Sequence, residues 1–182
     1  IPILVPYMNF KQMEKISGQF SKTLAKILKE KGLEFGKDVA IVISNDAVHY
    51  GDEDWGGKNM APFGSDDAGN KKALDLEKEI ITTCLSGEMD TKKMKKFTEY
   101  TVQKKDYKEY KWTWCGRYAL PLGMLVANKL NEHLYKTPLN GEFLNYASSI
   151  DHQHYPVEDI GMGTTAIANS HHWVGYVGMG YK

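Results

Sequence analysis

The run Asp38–Asp46, "DVAIVISND", restricts the fold more than any other stretch. Its apolar residues are consecutive rather than alternating. That pattern marks a strand covered on both faces, as in a parallel sheet. A shorter apolar run, "PILVPY" (Pro2–Tyr7), lies upstream. Between the two, Met13, Ile16, Phe20, Leu24, Ile27 and Leu28 recur at steps of three and four, which makes one apolar helical face. Asn9 and Gln12 have the spacing of a capping box, and Gly32 is placed to stop the helix. Strand, helix, strand is a βαβ unit with a right-handed crossover. The expected fold is α/β, a mostly parallel central sheet flanked by helices on both faces.

Further along, residues 51–72 are rich in Gly, Asp, Asn and Lys, with Trp55 and Phe63 among them. A loop of that length inside a compact domain is usually functional or mobile. Leu76, Ile80, Ile81, Cys84 and Leu85 then form a helical face that ends at Gly87. Asp90 caps a helix carrying Met94, Phe97 and Thr101. A last helix is expected from about Ala119, with Pro121 in its first turn. "EFLNYASS", "GMGTTAIAN" and "HWVGYVGMG" read as turn-bounded strands, the last two pairing through Asn169 and Ser170.

The 182 residues suit one domain. Lysines and arginines balance aspartates and glutamates at 23 each, which argues against a large nucleic-acid footprint. No stretch approaches the roughly 20 apolar residues of a membrane span. The start, "IPILVPYMNF", lacks a Met and a basic n-region and opens on a strand-like run. Residues 1–182 are therefore expected to be the C-terminal part of a larger domain. Two cysteines, Cys84 and Cys115, are too few for a disulfide-built secreted domain, so a cytoplasmic setting is expected.

Three places could carry chemistry. "SNDAVHYG" puts Asp46 three residues before His49 at the carboxyl end of the expected strand, where open α/β sheets bind ligands. A carboxylate there can orient an imidazole; an Asx-type turn explains the same spacing. "TWCGRYALP" puts Cys115 just before a helix N-terminus, which favours negative charge. Gly116 would let the backbone approach a ligand, and Arg117 adds positive charge. The alternative for Cys115 is a small buried hydrophobe, as is expected of Cys84. The remaining histidines are His152 and His154 in "DHQH", His171 and His172 in a turn, and His133 late in a helix. Each also reads as an ordinary loop or surface residue.

Taken together, "VISNDAVHYG", "WTWCGRYALPLGMLVANKL", "FLNYASS" and the closing Gly-rich strands resemble the Memo family. Its members are also called AmmeMemoRadiSam system protein B and look like class III extradiol dioxygenases. The resemblance runs from "IPILVPY" to "VGYVGMGYK". It implies Asp46 and His49 as active-site side chains and Cys115 as a metal ligand. In the family two histidines from an upstream segment join the cysteine, and the matching motifs are not found in this chain. Two imidazoles and a thiolate suit iron or copper and leave coordination positions open. His49 would then be an acid or base oriented by Asp46.

The leading expectation is a metal-dependent, dioxygenase-like redox enzyme on a small-molecule substrate, tied to a radical-SAM protein partner. One alternative is a metal-free thiol hydrolase with Cys115 as nucleophile, His49 as base and Asp46 as orienter. Another is a non-catalytic protein that binds a peptide or small molecule in the same cleft. There Arg117 would supply positive potential, and Trp55 and Phe63 would shape the mouth.

Overall fold

In the computed structural model, residues 1–151 and 168–182 are described. Helix α1 (Phe10–Lys31) begins at the expected capping box. The Asn9 side chain accepts from the Gln12 N–H, and the Gln12 side chain accepts from the Asn9 N–H. It ends at Gly32, which takes the left-handed conformation. Its buried stripe is not the one that hydrophobicity marks. Met13, Ser17, Ser21, Ala25 and Leu28 face inward, while Ile16, Phe20 and Ile27 stay exposed. The small inward residues let α1 lie close along α4 (Ala119–Tyr135). Lys129 of α4 donates to the Glu14 carbonyl and the Ser17 hydroxyl.

The strand β1 (His49–Tyr50) is short. Helix α2 (Asp67–Ile80) is capped by Asp66 and so starts inside the stretch read as loop. It widens into a π turn over Ile81–Leu85, then leads to β2 (Gly87–Glu88) and to α3 (Thr91–Thr101), which Asp90 caps as expected. After α4 come β3 (Asn140–Ser148) and β4 (Trp173–Tyr181). "EFLNYASS" and "HWVGYVGMG" thus form strands. Most of "GMGTTAIAN" lies outside the described residues.

The sheet corrects the expected fold class. Its strand order is β1-β4-β3-β2, and every pairing is antiparallel. The architecture is α+β, not a mostly parallel sheet with helices on both faces. The two runs that suggested parallel strands explain the error. Pro2–Tyr7 has no strand assignment, and from Ala40 to Ser44 no backbone hydrogen bond forms among the described residues. Val39, Ile41 and Ile43 are half-buried, whereas Ala40 and Val42 are exposed. The segment alternates, with one face inward, but among the described residues it has no ladder partner of the kind that makes a strand. A groove of about 610 Å³ runs beside it, lined by Ile41, Ile43, Leu120, Met124, Val177 and Asn45.

Aromatic and aliphatic side chains fill the core. Trp114, Trp173, Tyr50, Phe97, Ile80 and Leu85 are all fully buried. Among the described residues no helix is long and apolar enough to cross a membrane.

Candidate metal centre

Two chain segments build the cleft. Ala47 to His49 lies between β4 and the segment Thr113 to Cys115. On one side, the Ala47 N–H donates to Gly175 O and the Gly175 N–H to Val48 O, at 2.9 and 2.8 Å. On the other, the Cys115 N–H donates to Ala47 O at 3.2 Å and the His49 N–H to Thr113 O at 3.0 Å, around a Val48–Trp114 bridge. The pairing carries Asp46, His49 and Cys115 to one place. His49 Nε2 is 3.2 Å from Asp46 Oδ2, and one donor atom from each of the three residues lies within 4.8 Å of the others.

The turn of Cys115 to Tyr118 leads into α4. Gly116 is required there by close approach: a Cβ would sit 2.2 Å from Cγ and Nδ2 of Asn45. Asn45 Nδ2 donates to the Asp46 carbonyl at 2.9 Å. Cys115 is exposed, so the small-hydrophobe alternative suits it poorly. Cys84 is fully buried, and burial pushes its thiol up to about 11, which fits its expected structural role.

Trp55 forms one wall. Its ring stacks on His49 at 5.0 Å and on His172 at 3.9 Å between centroids. Asp52 braces the neighbouring turn. It accepts from the Ser65 hydroxyl and pairs with His171 Nδ1, both at 2.8 Å, while Glu53 donates its N–H to His171 O. The Ser65 and His171 contacts hold the Asp52 carboxyl below its usual range, and the Asp52 hydrogen bond raises His171 above the usual histidine value. NMR titration of the His171 ring should therefore give a pKa above 6.5 that falls back in D52N. An unmoved midpoint in D52N would show that the pair does not persist in solution.

Arg117 is turned elsewhere. Its guanidinium is buried among Tyr7, Tyr110 and Tyr118, 3.4 Å from the Tyr110 ring centroid, and donates to Lys108 O. The geometry thus gives it a packing role rather than a place with the three donors. Phe63 packs against Trp112. His133 is exposed on α4. His152 and His154 lie outside the described residues.

Compared with family models, curated proteins and solved structures, the chain matches none of them. The Memo resemblance therefore rests on its motif residues alone.

Three features of the cleft are not read from the motifs. His172 enters through its stack on Trp55. Asn45 lines the apolar groove and packs against Gly116. Glu77, on α2, is fully buried beneath the cleft. A signal for Glu77 does exist in the sequence: it is an acid on the stripe of Ala73, Ile80, Ile81 and Cys84, where a charged residue is rarely buried unless it is paired.

Proposed function

We propose that this protein is a metal-dependent redox enzyme of the Memo type, acting on a small molecule. The observation that carries the reading is the meeting of Asp46, His49 and Cys115, whose donor atoms fall within 4.8 Å of one another. A thiolate beside an imidazole fits iron or copper better than it fits a hard cation such as magnesium. Such an ion would supply Lewis acidity and one-electron chemistry. Cys115 is its anchoring ligand. His49 is the acid–base group, held in orientation by its 3.2 Å contact with Asp46. Trp55 walls off one side of the imidazole, and the apolar groove that Asn45 helps to line offers room for the substrate.

The two further histidines implied by the resemblance belong to an upstream segment of the same polypeptide. Among the described residues the backbone of Ala40–Ser44 makes no ladder hydrogen bonds, which supports a strand from such a segment adding there. A radical-SAM protein is the functional partner that the resemblance implies. Both cysteines are free thiols, which supports a reducing, cytoplasmic setting.

Metal analysis of the full-length protein tests this reading. Iron or copper at near-stoichiometric level is expected, with loss of at least about 90% in Cys115→Ser, since no other thiolate reaches the cleft. Absence of both metals, or their retention in the serine variant, refutes it. One specific observation favours a second reading. Cys115, His49 and Asp46 also have the order of a thiol hydrolase's nucleophile, base and orienter. Activity that survives chelators and is lost on alkylation would select that reading.

A further inference from the structure

Beneath the cleft, Glu77 gathers four donors. Its Oε1 accepts from the indole N–H of Trp112 at 2.6 Å and of Trp114 at 2.5 Å. Its Oε2 accepts from the Val48 N–H and the Tyr146 hydroxyl, each at 3.4 Å. Two of these partners adjoin the reactive side chains. Val48 lies between Asp46 and His49, and Trp114 immediately precedes Cys115. Where the two segments bridge, successive side chains alternate between faces. Val48 and Trp114 are fully buried, on the side of Glu77, while His49 is half-buried and Cys115 exposed.

Filling space does not account for such a group. A buried carboxyl is costly, and an apolar side chain would pack between Ala73 and Ile80 without that cost. Nor is it isolated, since every partner it has is a donor and two of the four, Val48 and Trp114, belong to the segments that form the cleft floor. A carboxylate with several fixed donors holds those donors relative to one another.

We propose that Glu77 is a positioning residue: by holding Trp114 and Val48 through one carboxyl group, it sets the separation of the Cys115 sulfur from the His49 imidazole and hence the geometry offered to a metal. The inference rests on the metal reading of the cleft. It assigns to α2, which carries no donor of its own there, control over a site made by two other segments.

The test uses Co²⁺ added to the metal-free full-length protein. It is read by thiolate-to-cobalt absorption in the near ultraviolet and by the visible bands that report coordination geometry. In Glu77→Gln, Co²⁺ affinity is expected to fall about tenfold with shifted visible bands, a typical loss when a supporting residue of a metal site is changed. An unchanged spectrum with affinity within about twofold of wild type overturns the proposal. Should Glu77→Gln fail to fold, two milder variants decide. Trp114→Phe, beside Cys115, should lose about tenfold in affinity, while Trp112→Phe, on the same oxygen but beside no donor, stays within about twofold. Equal losses in both point to a structural role only and overturn it. A wild-type protein without thiolate absorption, or Cys115→Ser retaining it, removes the metal reading itself and is distinguishable from every outcome that bears on Glu77 alone.

Discussion

Replacing Gly51 by alanine is expected to lower folding stability by roughly 3 kcal/mol or more. Gly51 has φ of 134°, a conformation that residues with a Cβ rarely adopt. The steric problem adds to the conformational one. A Cβ at this position would sit 1.9 Å from the His171 carbonyl oxygen and 2.8 Å from the His172 nitrogen. These are backbone atoms of a turn closed by the Asn169–His172 bridge, so no rotamer change relieves the clash. The turn must move away, and the hydrogen bond from Glu53 to His171 O goes with it. The stack of Trp55 on His172 then opens, and with it the wall beside His49. Urea unfolding measures the loss. A variant within about 0.5 kcal/mol of wild type would show that the loop and the turn are not in contact in solution.

The second large effect is electrostatic. Burial pushes the Glu77 carboxyl up from its ordinary 4.5 to about 7, against the four hydrogen bonds that favour its charged form. The folded protein therefore holds this proton at pH values where the unfolded chain has released it. Stability from Glu77 is fully present below about pH 4.5, declines as pH rises, and is gone above about pH 7. The swing is on the order of 3 kcal/mol. Other carboxylates also titrate in this range, so the quantity to measure is the difference between wild type and Glu77→Gln. Denaturant melts between pH 4 and 8 should show wild type losing ground to the glutamine variant as pH rises. A difference that is flat across that range would mean that the four donors, not burial, govern the group.

How far the sequence was readable depends on the range of each interaction. The capping box of Asn9 and Gln12, the stop at Gly32, the cap at Asp90 and the helix from Ala119 all appear where expected. Each is decided within about one helical turn. The buried stripe of α1 differs from the hydrophobic one, because Ser17 and Ser21 face inward through the close approach that small side chains permit, a demand of the neighbouring helix. The candidate site is a mixed case. Asp46, His49 and Cys115 were singled out from two short motifs, and they do meet. Glu77 does not stand out in the sequence, because on a helical wheel it is one polar interruption of an apolar stripe. Arg117 was assigned to the cleft for its charge, yet three tyrosine rings around it compete better for the guanidinium.

Amino-acid order alone settled both ends of α1, the starts of α3 and α4 and which side chains have the chemistry to act, since those depend on near neighbours and on residue type. Strand direction was a matter for the assembled molecule. Apolar runs such as Val39–Ile43 show that a segment prefers burial, but they do not say which backbone will pair with it. In this protein β4 pairs antiparallel with both β1 and β3, and Val39–Ile43 is left beside the sheet. The donors of a ladder lie far away along the chain, and only the folded arrangement brings them within hydrogen-bonding reach.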